Sequence, residues 1–175
     1  TWDGDYLMVV DANMGALKTD FYIKRRLEYT VDFTSDKPRG TLVYTYSNRA
    51  PYGDWRTSDY HTYVRAFVPK GSKFLERSML NGVITKEDFN KTYFGGFVDV
   101  EIGQSDVATT FVYELPDTIT PDNYQLLIQK QSGVGTLPIT VRIKTREKEY
   151  VETAELLKDP TFSLRTIEEK AESRP

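Results

Sequence analysis

The stretch Phe21–Phe33 alternates between two rows of side chains, and this pattern constrains the fold more than any other in the chain. A period of two is that of a β-strand, whose successive side chains point to opposite faces of a sheet. One row is mostly apolar and the other mostly charged. The pattern therefore predicts a strand that covers a core on one side and meets water on the other.

Arg25 is the one charged residue in the apolar row of this strand. A buried charge is costly unless it is paired, so we predict a structural ion pair between Arg25 and a carboxylate on a neighbouring strand. An alternative is a position at the rim of the sheet, where the stem packs and the guanidinium reaches water. Unpaired beside a groove, Arg25 would instead belong to a binding site.

Short stretches rich in β-branched and aromatic residues, separated by turn residues, run along most of the chain. The predicted strands are 6–10, 21–33, 41–47, 59–68, 73–80, 93–102, 107–115, 123–131 and 139–145, with short edge strands as an option at 150–151 and 162–164. Between them we expect a turn at 81–82, a loop or one helical turn at 85–90, and a bulge or close backbone approach at Gly95 and Gly96.

This pattern predicts an all-β fold, an antiparallel β-sandwich that is immunoglobulin-like or related, with about eight to nine strands. An open barrel has the same local pattern and is the alternative. We expect a single domain over residues 1–167. Residues 168–175 are charged and poor in apolar side chains, which predicts a flexible tail.

Composition argues against several kinds of site. The chain has no cysteine and one histidine, which rules out disulfides, thiolate metal sites and a multi-histidine zinc site. The acidic residues lack the spacing of a calcium loop, so we predict no metal and no cofactor. A net charge of −3 gives no support for nucleic-acid binding. No apolar stretch of about 18 residues occurs, so we expect no membrane contact by these residues themselves.

One segment concentrates aromatic, amide and guanidinium side chains, which are the groups that bind carbohydrates or peptides. Its candidate binding residues are Tyr44, Tyr46, Tyr52, Trp55, Arg56, Tyr60, His61 and Tyr63. The alternative interpretation places the tyrosines on ordinary sheet surface and Trp55 as a plug at the end of the sandwich.

Catalysis by His61 would need a nucleophile and an orienting acid brought together with it. Ser58 and Asp59 are close in sequence, but neighbours on a strand point apart. We therefore expect an exposed strand histidine and a protein that is not an enzyme, and we assign no catalytic residues.

Four motifs in order resemble the C-terminal β-rich part of a bacterial family of unknown function, domain-of-unknown-function family four thousand and twelve. The motifs are VDANMGALKTDFY at 10–22, YVRAFVPKGS at 63–72, YELP at 113–116 and YQLLIQKQSG at 124–133. The resemblance extends from about residue 6 to about residue 164. It implies the extracytoplasmic part of a larger envelope protein at the bacterial cell surface, anchored by an N-terminal transmembrane helix outside these residues. The family has no established activity, so no catalytic residues are implied.

Three functions follow as expectations. The first is a non-catalytic extracytoplasmic β-sandwich module with a structural or interaction role, whose partner is a cell-wall glycan or an envelope protein. The second is a glycan- or peptide-binding module that uses the aromatic-rich segment 44–63. The third and most remote is an envelope hydrolase or transferase.

Overall fold

The computed structural model describes residues 2–15 and 17–172 and contains twelve strands in two sheets of six. The first half of the chain forms β1 (Asp5–Asn13), β2 (Ile23–Asp32), β3 (Arg39–Asn48), β4 (Tyr60–Pro69), β5 (Lys73–Ser78) and β6 (Asn81–Asp88). The second half forms β7 (Lys91–Val100), β8 (Val107–Glu114), β9 (Gln125–Gln129), β10 (Leu137–Lys144), β11 (Glu149–Leu156) and β12 (Thr161–Ser163). Two 3-10 helices, Lys18–Tyr22 and Pro121–Asn123, and helix α1 (Leu164–Glu172) complete the described elements.

The first sheet has the strand order β12-β9-β1-β4-β7-β6, and the second has the order β11-β10-β2-β3-β8-β5. Neighbouring strands are antiparallel except for two pairs, β1 with β9 and β2 with β10, which are parallel. The prediction of an all-β sandwich is confirmed. The strand count of about eight to nine is too low, and the two parallel pairs make both sheets mixed.

The apolar inner faces of the two sheets form one continuous core. Aromatic contacts cross it: the ring of Phe94 on β7 lies 5.3 Å from that of Phe74 on β5 and 5.4 Å from that of Tyr113 on β8. Because side chains alternate along a strand, the inner rows of most strands are buried while the outer rows meet solvent, whereas β5 and β6 are exposed along nearly their whole length. This burial is the main stabilising contribution to the sandwich.

The strand predicted at 21–33 begins two residues late. Ile23 starts β2, whereas Phe21 belongs to the preceding 3-10 helix and is 83% exposed. From Ile23 onward the apolar row is buried as predicted, with Leu27, Tyr29 and Val31 inside. The helical turn that precedes β2 thus redirects the first aromatic residue of the row to the surface.

Two elements of the structure differ from their predictions, and one predicted glycine contact is present. Residues 81–88, predicted as a turn and a loop or helical turn, form strand β6 at the edge of the first sheet. Residues 168–172, assigned to the tail, form the end of helix α1, so the predicted boundary falls inside that helix; 173–175 lie outside the described residues. The predicted close approach at Gly95 is present, because the Tyr63 ring lies where a Cβ would be.

Candidate functional site

One end of the sandwich carries a cavity of about 430 Å³ between the first 3-10 helix and the loop that joins β3 to β4. We call it the end-loop site. Its lining residues are Lys18, Asp20, Phe21, Tyr22, Pro51, Tyr52, Asp54, Arg56 and Thr57. Exposed aromatic rings surround it: Phe21 packs edge-to-face on Tyr22 with ring centroids 5.3 Å apart, and Tyr52 is 58% exposed.

Asp54 folds the loop of the end-loop site. Its carboxylate accepts hydrogen bonds from the backbone N–H groups of Arg56 and Thr57 at 2.8 and 3.0 Å. These bonds, the one from Arg56 N–H first, lower the pKa of Asp54 to about 2. A carboxylate that accepts hydrogen bonds from the backbone N–H groups two and three residues ahead closes a compact turn, so the loop has a defined shape.

Backbone hydrogen bonds fasten this loop to the 3-10 helix. The N–H of Lys18 donates to the carbonyl of Arg56 at 2.8 Å, and the N–H of Arg49 donates to the carbonyl of Tyr22 at 3.0 Å. The N–H of Ser58 donates to the Thr19 hydroxyl at 3.0 Å. The two walls of the end-loop site are therefore joined along their length, which fixes the spacing of the rings between them.

A buried ionic network forms beneath the site. The Arg25 Nε donates to Asp11 Oδ2 at 2.7 Å, and its Nη2 donates to Asp20 and to the Tyr60 hydroxyl, the latter at 2.9 Å. Tyr60 in turn donates to Asp11 Oδ1 at 2.6 Å. Arg25 and Asp11 have side chains only 6% and 1% exposed. The ion pair predicted for Arg25 is thus present, but the predicted carboxylate on a neighbouring strand is wrong. The partners are Asp11 on β1, which lies in the opposite sheet, and Asp20 in the 3-10 helix.

This network shifts the titration of its members. Burial disfavours the charge of Arg25, but the hydrogen bond and the charge of Asp11 outweigh it and raise the pKa of Arg25 above its ordinary value. Burial and then the charge of Asp11 raise the pKa of Tyr60 well above its ordinary value. Arg25 therefore stays charged and Tyr60 stays neutral across the physiological range. Asp20 extends from the network into the end-loop site, where its side chain is 47% exposed.

The candidate binding residues of the segment 44–63 separate into three groups. Tyr44, Tyr46 and Tyr60 are buried in the core, where the rings of Tyr44 and Tyr46 pack edge-to-face at 5.0 Å. This corrects their assignment to a binding surface: they face inward because they lie on the inner rows of β3 and β4. Only three of the eight candidates come together at the end-loop site.

Those three are Tyr52, Trp55 and Arg56. Trp55 is 78% exposed, so it does not plug the end of the sandwich. The Arg56 guanidinium lies 5.3 Å from the centroid of the Trp55 ring and pairs with Asp54 at 3.1 Å. Tyr52 and Arg56 line the cavity, whereas Trp55 is not among its lining residues and joins it through the stacking contact with Arg56.

The other two candidates, His61 and Tyr63, lie on the outer row of β4. His61 Nδ1 lies 2.6 Å from Asp99 Oδ1, and both side chains are more than half exposed. Neither residue lines the end-loop site. The histidine therefore has a carboxylate partner from the neighbouring strand β7 rather than from Ser58 or Asp59.

Sequence reasoning missed Asp20 and Phe21 as members of the site. Phe21 is shared with an adjoining cavity of about 740 Å³ that Asp20 and Arg25 also line. The alternating pattern placed Phe21 in the core, and only the 3-10 turn turns it outward. The signal that was available is the polar stretch before residue 21, which interrupts the strand pattern.

No family model, curated protein or solved structure that was compared with the chain matches it. The fold and the site together define a class of protein, an all-β sandwich with an aromatic cavity at one end. Within the described ranges, no group of three or more His, Cys, Asp or Glu side chains is arranged to hold a metal ion. None of the described helices is both long and apolar enough to cross a membrane. The family resemblance stays a prediction.

Proposed function

We propose that the chain is a non-catalytic interaction module in the extracytoplasmic part of a bacterial cell-envelope protein, and that it contacts its partner through the end-loop site. The observation that carries the proposal is the exposure of three large rings: Phe21 and Tyr52 line one cavity, and Trp55 lies against the lining residue Arg56. Aromatic side chains and arginine are enriched at interaction surfaces, where they supply most of the binding energy. The envelope location rests on the family resemblance alone.

The rigidity of the site supports a binding role. The rings are carried by two segments that hydrogen-bond to each other and rest on the buried Arg25–Asp11 network. Side chains held in place before binding lose less conformational entropy when a partner arrives. A preformed cavity of this kind is suited to recognition without chemistry.

The placement of the one histidine also favours a non-catalytic role. His61 and Asp99 form an exposed pair on the outer face of the first sheet, away from the end-loop site. A general base needs a bound substrate within hydrogen-bond reach, in a site that holds it. The exposed pair offers no enclosing walls for such a substrate.

A second candidate function is glycan binding at the same site. Lys18, Asp20 and Arg56 line the cavity beside the rings and offer hydrogen-bond donors and acceptors for sugar hydroxyls. Rings flanked by a few polar groups are the usual composition of a small-ligand site. The experiment below distinguishes a glycan partner from a protein partner.

The test uses Trp55 as a reporter. Trp2→Phe leaves Trp55 as the one tryptophan of the chain. The variant is titrated with purified cell-wall glycan fragments and, separately, with purified envelope proteins. We expect a saturable change in Trp55 emission with one of these two classes. Tyr52→Ala and Phe21→Ala are expected to weaken that binding at least about tenfold, the size of effect seen when a central aromatic contact is removed.

Phe97→Ala is the matched control, because Phe97 is an exposed ring on β7 that does not line the end-loop site. Its binding should equal that of the parent chain. The proposal fails if neither class of partner changes the emission of Trp55. It also fails if binding is unaffected by both Tyr52→Ala and Phe21→Ala.

A further inference from the structure

A second cavity, of about 590 Å³, lies on the outer face of the first sheet and is separate from the end-loop site in its lining. We call it the outer trough. It runs across the adjacent strands β9, β1, β4 and β7, and its lining includes Trp2, Tyr6, Arg65, Phe67, Phe89 and Lys91. At a spacing of about 4.8 Å between neighbouring strands, four strands give the trough a length of roughly 14 Å.

Two cations lie over the aromatic floor of the outer trough. The Lys91 ammonium is 4.7 Å from the centroid of the Tyr6 ring, and the Arg65 guanidinium is 5.7 Å from that of Phe67. No carboxylate lines the trough. Within the described part of the chain, neither Arg65 nor Lys91 belongs to an ion pair. The lining of the trough therefore carries two positive charges and no negative one, while the charge of Asp159, outside the lining, acts on Tyr6.

Two donors of the trough, the Arg65 Nε and the Gln129 amide, have no acceptor among the described side chains. The Arg65 Nε is buried and has no hydrogen-bond partner, which is costly for a charged group. Gln129 uses its Oε1 to accept the Tyr6 hydroxyl at 2.6 Å, so its amide nitrogen remains a donor. A ligand with anionic oxygens would accept from the Gln129 amide and the Lys91 ammonium, and it would balance the charge of the Arg65 guanidinium, whose Nε is itself shielded from solvent. Charge-assisted hydrogen bonds to oxygen anions are the strong ones.

Two rings stand at the sides of the trough. The indole N–H of Trp2 donates to the carbonyl of Asp5 at 2.7 Å, which fixes the orientation of its ring. Phe89 is 83% exposed, in the turn between β6 and β7, and has a φ of 50°. Phe89 and Asn90 both have a positive φ because they are the two central residues of the tight β6–β7 hairpin, in which Asp88 pairs with Lys91.

The strand order of the first sheet distinguishes a sugar from an extended peptide as the anionic partner. Extended peptides recognise a sheet by pairing with the backbone of an edge strand. The four strands beneath the trough are all interior to the first sheet, so their backbone groups are already paired on both sides. Recognition must then come from side chains alone, and aromatic rings suit the apolar faces of sugar rings.

We propose that the outer trough binds a carboxylate-bearing oligosaccharide, with Trp2 and Phe89 against the sugar faces and Arg65 and Lys91 on the carboxylates. This inference does not depend on the end-loop site. It concerns a different face of the molecule and a ligand whose charge is stated.

The experiment uses a galacturonic acid tetrasaccharide and its methyl ester, which keeps the sugar rings and removes the charge. Trp55→Phe leaves Trp2 as the one tryptophan, so its emission reports on the trough rather than on the end-loop site. We expect saturable binding of the acid, at least tenfold weaker binding of the ester, and affinity for the acid that falls as salt is added.

The variants Arg65→Met and Lys91→Met remove the charge and keep the apolar stem. Each is expected to weaken binding of the acid about tenfold or more, in line with the loss of a charge-assisted hydrogen bond. Phe89→Ala should weaken the acid and the ester by the same factor. Lys86→Met is the matched control: Lys86 pairs in register with Tyr93 on β7, is exposed and does not line the trough. It should bind like the parent chain.

Several results would overturn the inference. Equal binding of the acid and the ester would show that the charge of the ligand is not recognised. No binding of either at millimolar concentration would show that the trough does not bind such sugars. Tighter binding of an aspartate-rich peptide of equal charge would make the partner a protein. Self-association that Phe89→Ala abolishes would make the trough a contact between copies of this chain. A thermal unfolding curve for each variant shows whether a loss of binding reflects a loss of fold.

Discussion

Asp5 is the least expected residue of the core, and its removal gives the sharpest test of the structure. Its carboxyl group is fully buried and accepts hydrogen bonds from the hydroxyls of Tyr29 and Tyr124 at 2.7 and 2.9 Å, and from the N–H of Tyr6 at 2.8 Å. None of the described cations forms an ion pair with it. Burial raises the pKa of Asp5 to about 6, although the three hydrogen bonds lower it.

This pKa predicts a specific dependence of stability on pH. Between the unfolded value of 3.8 and the folded value of about 6, the folded chain binds the proton that the unfolded chain has lost. Stability therefore falls as the pH rises through this window. At 1.36 kcal/mol per pKa unit the full effect is about 3 kcal/mol, of which about 2 kcal/mol falls between about pH 4.5 and pH 7.

Asp5→Asn keeps the shape of the side chain and removes its titration. We expect the stability of the variant relative to the parent chain to increase by about 2 kcal/mol between about pH 4.5 and pH 7, whatever the constant cost of the amide. Urea denaturation at a series of pH values measures this difference. Asp3→Asn is the control, because Asp3 is exposed and two residues away.

At each pH, the difference in stability between Asp5→Asn and the parent chain cancels the titration of the other carboxylates, which both chains share. Parallel stability curves for the parent chain and Asp5→Asn across this range would refute the reasoning. In that case the tyrosine hydroxyls would stabilise the carboxylate as well as water does, and its burial would carry no net penalty.

Two further substitutions, Arg25→Met and Gly95→Ala, test the packing, and Gly135→Ala is the control for the second. Arg25→Met leaves Asp11 buried without a cation, and we expect the free energy of unfolding to fall by about 3–5 kcal/mol in urea denaturation at neutral pH; a loss below about 1 kcal/mol would contradict a buried pair. Gly95→Ala places a methyl group against the Tyr63 ring and should cost about 1–3 kcal/mol, most of which Tyr63→Ala relieves in a double-mutant cycle. Gly135→Ala, with open space around it, should change stability by less than about 0.5 kcal/mol.

The alternating pattern was sufficient to predict the sandwich but not all of its strands. Period-two alternation is clear where one face is buried, as from Ile23 to Val31. Strand β6 was not predicted because its residues are almost all exposed, so its sequence has no alternating apolar row. Helix α1 was not predicted because its C-terminal half is charged, although Leu164 and Ile167 pack into the core.

The candidate site was predictable in part for a related reason. Tyr52, Trp55 and Arg56 were found because loop residues keep their chemistry visible in the sequence. Tyr44 and Tyr60 were misassigned because tyrosine suits both a half-buried sheet surface and a core, and the choice depends on which strands cover it. The outer trough was not found, because it is assembled from four strands whose order the sequence does not give.

The inner row of β1 explains how the two sheets are held in one alignment. It carries an acid at each end, Asp5 and Asp11, with apolar residues between them. Both acids bond to side chains of β2 in the opposite sheet, Asp5 to Tyr29 and Asp11 to Arg25. Sliding one sheet past the other would leave two buried carboxyls without partners, so polar contacts at both ends fix an alignment that apolar packing alone leaves less well defined. Because the Arg25 end also supports the end-loop site, the contact that aligns the sheets is the one that holds the proposed binding surface in place.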